Sequence, residues 1–192
     1  MGGFAAGRSP QTVRLRHPVF KQNQGSLFVT GNYARLNDQI ASAPADAFLF
    51  GGDMYILKAS ASFDSAHFLA GYNGKCANLH GHHWVIEAEI KNDSLIENGE
   101  KRGMVIDFGD MKKAVRALAD RYDHALIYER GSLKDTTLSA LNDENFRLIE
   151  VPFRPTAENF AKAFLDELKA DGLPVFRVTV YETPDNCAAY EV

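Results

Sequence analysis

The sequence of 192 residues is poor in cysteine and lacks any long apolar run. Its two cysteines, Cys76 and Cys187, are too few for a disulfide framework and do not form a C-x-x-C pair. No apolar run approaches the roughly 20 residues that a membrane span needs, and no continuous apolar core follows Arg8 as a secretory signal would require. We therefore expect a protein of a reducing, cytoplasmic compartment that has no membrane partner.

Acidic residues are absent from residues 1–37, which carry five basic side chains, whereas the rest of the chain carries 16 basic and 25 acidic ones. Such a terminus could be an organelle transit peptide, an arm for an anionic partner, or a poorly ordered end that happens to lack acids. We favour the third interpretation, because the charges are sparse and follow no amphipathic helical pattern. We expect no nucleic-acid partner.

Residues 1–53 are predicted to be an N-terminal extension. Frequent glycine and proline predict a flexible arm over residues 1–25. Two short apolar stretches flank Gly31 and Asn32, which predicts a hairpin over residues 26–36 that packs on the surface of the subunit.

The remaining residues, 54–192, have the patterning of one globular domain. They predict strands at 54–67, 82–91, 175–182 and 188–192, a helix capped by Asp107, a polar loop at 131–145, and a helix that begins at Thr156 and stops before Pro174. The resulting order, β-β-α-α-β-β, predicts an α+β domain with helices on one face of an antiparallel sheet.

Three histidines are spaced to hold one metal ion. His80 and His82 lie two residues apart, so a strand places both imidazoles on one face. His67 follows a segment, residues 55 to 63, in which every second residue is apolar. On a strand, the residues at 55, 57, 59, 61 and 63 share its face. Three imidazoles with a fourth position open are typical of a catalytic zinc site. His83 directly follows His82, faces the other way on a strand, and is not expected to bind the metal.

Four further residues carry reactive or charged groups, each with two possible roles. Cys76 could be a small buried apolar residue, or a thiolate whose pKa is lowered by Lys75 and a nearby dication. His124 could balance the dipole of the preceding helix, or act with Asp123 as a general acid and base. Glu182 ends an apolar strand and could face solvent or bind a ligand.

Six sequence segments together resemble the 6-pyruvoyl-tetrahydropterin synthase / 6-carboxy-tetrahydropterin synthase family. The segments are Phe63 to His67, Cys76 to His82, Gly103 to Phe108, Asp123 to Leu126, Pro155 to Asn159 and Tyr181 to Thr183. The resemblance runs in order from about Met54 to Val192 and leaves residues 1–53 uncovered. It implies a tunnelling fold, in which trimers close their sheets into a barrel, two rings commonly stack, and active sites lie between subunits.

The resemblance also implies roles for individual residues. Zn²⁺ would be held by His67, His80 and His82, and the substrate would be bound by Glu182 and Thr156. Cys76 would be the catalytic base, with Asp123 and His124 as its catalytic partners and Glu182 gripping the pterin ring.

The resemblance implies an enzyme acting on a pterin triphosphate. Three residues separate Cys76 from His80, as in the branch that converts 7,8-dihydroneopterin triphosphate to 6-carboxy-5,6,7,8-tetrahydropterin, a step toward queuosine. The alternatives are the pyruvoyl-forming synthase, whose gap is longer, and a catalytically silent pterin-binding relative. His83 and the N-terminal extension depart from the family pattern.

Overall fold

A computed structural model describes residues 53–192 together with the backbone of a short strand, Val13–Arg14. The strands are β1 (Val13–Arg14), β2 (Tyr55–His67), β3 (His80–Asn92), β4 (Ala125–Glu129), β5 (Leu148–Val151), β6 (Val175–Thr183) and β7 (Asn186–Glu191). The α-helices of the described residues are α1 (Phe108–Tyr122), α2 (Asp135–Asp143) and α3 (Ala157–Ala170). A single 3-10 turn, Lys75–Ala77, lies between β2 and β3.

The seven strands form one mixed sheet in the order β1-β5-β4-β2-β3-β6-β7. The strands β2, β3, β6 and β7 pair antiparallel, with β2 and β3 in register from Tyr55 opposite Asn92 to His67 opposite His80. On the other side of β2, the strands β4, β5 and β1 run parallel to one another and to β2. The long β2–β3 pair therefore forms the centre of the sheet and ends at two of the predicted metal ligands.

The core lies between one face of this sheet and the helices α1 and α3. Along β3, alternate residues from Trp84 to Ile90 are fully buried, as a strand with one face on a core requires. The Trp84 ring stacks on Phe63 of β2 and meets the edge of Phe160 in α3. The face that packs against the helices is therefore the face that carries the even-numbered histidines of β3.

Both predicted helices begin at the predicted residues. The Asp107 carboxylate accepts a hydrogen bond from the backbone N–H of Gly109 at 2.6 Å, and the Thr156 hydroxyl accepts one from Asn159 at 3.4 Å. These side chains satisfy backbone donors that a first helical turn leaves unpaired. None of the helices described is long and apolar enough to cross a bilayer.

The predicted α+β class is confirmed, but the predicted order of elements was incomplete. The polar loop predicted at 131–145 contains α2, and two unpredicted strands, β4 and β5, flank that helix. Because α2 buries none of its residues, its sequence has no apolar stripe to recognise. The strands β4 and β5 have only five and four residues, and they pair parallel rather than antiparallel.

The N-terminal predictions are mostly outside the described residues. The hairpin predicted over 26–36 lies there, so it stays a prediction. Within the predicted arm of residues 1–25, Val13 and Arg14 pair in parallel with Ile149 and Glu150 of β5. Two residues are too few for sequence alternation to reveal such a strand.

Candidate metal centre and active site

The end of the β2–β3 pair brings three histidines together. His67 is the last residue of β2 and lies opposite His80, the first of β3, and His82 follows on the same face. Gly81 lies between them, opposite Ala66, where an added Cβ would be 3.3 Å from the backbone oxygen of Ser65. A residue without a side chain therefore suits the close approach of the two strands at this point.

Two backbone carbonyls fix which nitrogen of each ring faces inward. The Nδ1 of His67 lies 2.7 Å from the oxygen of Pro155, and the Nδ1 of His80 lies 2.7 Å from the oxygen of Asn78. Since a carbonyl oxygen only accepts, each Nδ1 carries the proton and each Nε2 presents a lone pair. The two Nε2 atoms lie 3.1 Å apart. Two lone pairs that face each other at this distance favour a cation that both can bind.

The third imidazole and one carboxylate complete the cluster. The Nε2 of His82 is buried without a hydrogen-bond partner, although the Oε1 of Glu182 lies 3.1 Å away. The same Oε1 lies 3.4 Å from the Nε2 of His67. One ligand atom from each of these four residues lies within 4.8 Å of the other three. Nitrogen and carboxylate donors at these positions fit Zn²⁺.

Burial favours the neutral form of two of the imidazoles, His67 and His82. It lowers the pKa of His67, which is 1% exposed, and the neighbouring His80 and His82 lower it further, against the raising effects of the Pro155 carbonyl and Glu182. Burial also lowers the pKa of His82, with His80 adding to the effect and Glu182 opposing it. Neutral imidazole is the form that binds a metal, so the lowered pKa values of His67 and His82 favour metal binding.

Among the described residues, His83 lies outside this cluster. It is paired with Asp64 across the β2–β3 register, and its Nδ1 lies 2.8 Å from the Asp64 Oδ1. Its side chain points to the opposite face from His82, as the alternation of a strand requires. No pattern in the sequence indicated Asp64 as its partner.

Asp123 and His124 form a dyad at the junction of α1 and β4. The Asp123 Oδ2 lies 2.7 Å from the Nδ1 of His124, and the backbone of Asp64 binds both residues. Its N–H donates to the Asp123 Oδ1 at 2.9 Å, and its carbonyl accepts from the N–H of His124 at 2.6 Å. The hydrogen bond from the Asp64 N–H is the main cause of a lowered pKa of Asp123, and the hydrogen bond with His124 lowers it further. The dyad therefore has a carboxylate that orients an imidazole.

His124 is open to solvent and is not a member of the histidine cluster. Its side chain is 78% exposed, its φ of 50° is left-handed, and it borders an open cleft of about 690 Å³ together with Asp64 and His83. Within the described part of one chain, the dyad is thus oriented and lies outside the four-residue cluster, although His82 lines the same cleft.

Cys76 lies in the connection between β2 and β3, which we define as the Cys76 loop (residues 68–79). It is half-buried in the 3-10 turn four residues before His80, and its thiol is not part of the four-residue cluster. Its carbonyl accepts from the N–H of Leu69 at 2.8 Å, which closes the base of the loop. The other cysteine, Cys187, is exposed on β7.

The structure also brings in residues that sequence reasoning did not single out. The carbonyls of Asn78 and Pro155 orient two of the rings, and Arg154 donates from its Nη2 to the carbonyl of Ala70 in the Cys76 loop. Every residue has a backbone carbonyl, so the sequence carries no signal for these contacts. The predicted substrate-binding Thr156 uses its hydroxyl as the acceptor that caps α3.

The chain resembles known proteins over the part that contains this site. Residues 56–192 match the model of a family described as 6-pyruvoyl tetrahydropterin synthase. The chain is 38% identical over 141 residues to 6-carboxy-5,6,7,8-tetrahydropterin synthase from Haemophilus influenzae, covering 72% of this chain and 99% of the relative. It is 31% identical to the enzyme of the same name from Rickettsia bellii, covering 65% of this chain and 91% of that one.

Solved structures show the same fold at lower identity. An uncharacterized protein from Wolinella succinogenes superposes with a TM-score of 0.63 at 21% identity, covering 73% of this chain and 99% of that chain. The 6-pyruvoyl tetrahydropterin synthase from Caenorhabditis elegans superposes with a TM-score of 0.52 at 23% identity, covering 75% and 99%. These similarities confirm the tunnelling fold.

Proposed function

Because the chain belongs to the 6-pyruvoyl tetrahydropterin synthase family, we propose that it is a zinc-dependent 6-carboxy-5,6,7,8-tetrahydropterin synthase. Its substrates would be 7,8-dihydroneopterin triphosphate and one water molecule, which supplies an oxygen of the new carboxylate, and acetaldehyde and triphosphate would be lost. The observation that carries the proposal is the cluster of three imidazoles, two of them oriented by carbonyls and the third with a buried Nε2 that has no hydrogen-bond partner. The names of the curated relatives support the carboxy product.

His67, His80 and His82 would hold the metal. Zn²⁺ bound there supplies a Lewis acid that lowers the pKa of a substrate hydroxyl. A catalytic zinc site keeps one position for substrate, so three protein ligands suffice. We therefore assign Glu182 to the substrate, where its carboxylate would accept two N–H bonds from the aminopyrimidine edge of the pterin. Its place beside His67 and His82 orients that edge toward the metal centre.

Proton transfer would be carried out by Cys76 and by the dyad of Asp123 and His124. The reaction moves protons between carbon and oxygen, which requires a base and an acid on the substrate side chain. Cys76 would take a proton as thiolate. His124, oriented through its Nδ1 by Asp123, leaves its Nε2 free to donate or accept.

The active site would be completed by a second copy of the chain. His124 is exposed and lies outside the histidine cluster of its own chain, as expected if it serves a neighbouring subunit. The strand β7 ends the sheet and pairs only with β6 among the described strands, so its other edge can pair with another subunit. Both observations support a homo-oligomer, a trimer or a hexamer, whose sheets join.

Formation of 6-pyruvoyl-tetrahydropterin is the second candidate reaction, since the matching family and several solved neighbours carry that name. Both reactions would use the same site. A catalytically silent pterin binder is disfavoured because it would need neither Cys76 nor the dyad.

We further propose a cytoplasmic enzyme on a route to queuosine, with residues 1–53 as an extension of the synthase domain, 54–192.

Turnover of 7,8-dihydroneopterin triphosphate by the full chain tests this proposal. The zinc-loaded protein should consume the substrate, lose activity after removal of the metal by a chelator, and recover it when zinc is returned. Full activity of the metal-free protein would contradict zinc dependence.

A further inference from the structure

The segment of residues 154–156, which joins β5 to α3, contacts both the histidine cluster and the Cys76 loop. The carbonyl of Pro155 lies 2.7 Å from the Nδ1 of His67. The guanidinium of the preceding residue, Arg154, donates from Nη2 to the carbonyl of Ala70 at 2.5 Å. Adjacent residues of one segment thus reach a proposed metal ligand on one side and the base of the loop on the other.

The segment is itself fixed to the first turn of α3. The carbonyl of Arg154 accepts from the N–H of Thr156 at 2.8 Å and from the side-chain amide of Asn159 at 2.9 Å. With its backbone held in this way, the Arg154 side chain reaches the loop from a rigid support. A long cationic side chain held at both ends has lost most of its rotamer freedom, which favours a defined position for what it binds.

The Cys76 loop is closed mainly by bonds within itself. Its base is formed by Leu69, which donates to the carbonyl of Cys76 and accepts from the N–H of Tyr72. Ala70, the residue that Arg154 binds, directly follows Leu69. The guanidinium also lies against Gly71, where an added Cβ would be 3.9 Å from Nη2. A displacement of Ala70 would therefore act one residue away from the hydrogen bond between Leu69 and the carbonyl of Cys76.

We infer that Arg154 is a positioning residue that sets the place of Cys76 relative to the histidine cluster by binding the carbonyl of Ala70. This inference deepens the proposed function and rests on it for the role of Cys76. Without the guanidinium, the base of the loop loses a charge-assisted hydrogen bond, and the thiol gains freedom to move. A shift of about 1 Å in a reacting group can cost about 100-fold in rate.

The test compares Arg154→Met and Arg154→Lys with the wild-type full chain, each loaded with zinc. Alkylation by iodoacetamide is followed at Cys76, with the exposed Cys187 of the same chain as the internal reference. Arg154→Met should raise the rate at Cys76 relative to Cys187 several-fold and lower kcat by up to about 100-fold, with KM and zinc content unchanged. Arg154→Lys keeps one cationic donor group, so its alkylation ratio and its kcat should lie between those of Arg154→Met and the wild type.

A matched control is Arg130→Met, because Arg130 is exposed and binds Glu150 away from the loop. It should change neither the alkylation ratio nor kcat. An unchanged alkylation ratio in Arg154→Met would overturn the inference. So would a rise in KM alone, which would make Arg154 an anion-binding group for the substrate. Alkylation needs no substrate, so a faster reaction at Cys76 would support the positioning role even if the proposed turnover were not found.

Discussion

The Nε2 atoms of His67 and His80 lie 3.1 Å apart, while the Nδ1 of each ring is bound to a backbone carbonyl. The carbonyls come from different parts of the chain, Pro155 before α3 and Asn78 at the end of the Cys76 loop. The two rings are thus oriented before any ligand arrives, and their inward nitrogens have only lone pairs to offer. Such preorganisation lowers the cost of binding a metal ion.

The first prediction concerns this metal centre. His80→Ala should remove most of the zinc that copurifies with the wild-type protein, because two imidazoles remain where three converge. His83→Ala is the matched control and should keep its zinc, since His83 faces Asp64 on the other side of the sheet. Metal content is measured by atomic emission on the purified proteins. Equal loss in both variants would contradict the assignment.

A second prediction separates the two possible roles of Glu182. If it binds the pterin, Glu182→Gln should retain zinc and raise KM about 10- to 100-fold, because a charge-assisted hydrogen bond is worth roughly 1.5–3 kcal/mol. If it is a metal ligand, the variant should lose zinc in parallel with activity. Parallel measurement of metal content and KM decides between these outcomes, and we expect the first.

The third prediction concerns the thiol. Cys76→Ala should keep the fold, the zinc and the affinity for the pterin, and should lower kcat by about 10²- to 10⁴-fold, the usual contribution of a positioned base. Cys187→Ala should be as active as the wild type, because Cys187 is exposed on β7 and lies outside the site. Unchanged turnover in Cys76→Ala would make Cys76 merely structural.

A fourth prediction tests whether the site is shared between subunits. Cys76→Ala and His124→Ala should each be nearly inactive, but subunits that are mixed, dissociated and reassembled should regain activity. If each site takes Cys76 from one chain and His124 from the next, random assortment gives about a quarter of intact sites. Each variant reassembled alone serves as the control. No recovery in the mixture would place both groups in the same subunit.

The central strands and two helices could be predicted from the sequence because their burial is periodic. Alternate residues are buried along most of β2 and β3, and this alternation placed the three histidines on one face. The stripes of α1 and α3 are equally regular. In contrast, α2 buries no residue, so nothing in its sequence distinguishes it from a polar loop.

The candidate site was only partly visible from the sequence. The convergence of His67, His80 and His82 follows from parity within strands, but the approach of Glu182 depends on how β6 pairs with β3. Its distance from His82 could not be read from spacing, since about a hundred residues separate them. The carbonyl of Pro155 and the guanidinium of Arg154 depend on how the chain enters α3, which local patterns do not report.

Mass spectrometry of the product formed from 7,8-dihydroneopterin triphosphate tests the central claim most directly. The zinc-loaded full chain should yield 6-carboxy-5,6,7,8-tetrahydropterin, with acetaldehyde and triphosphate released in equal amounts. A 6-pyruvoyl-tetrahydropterin product without acetaldehyde, or recovery of unchanged substrate, would contradict it.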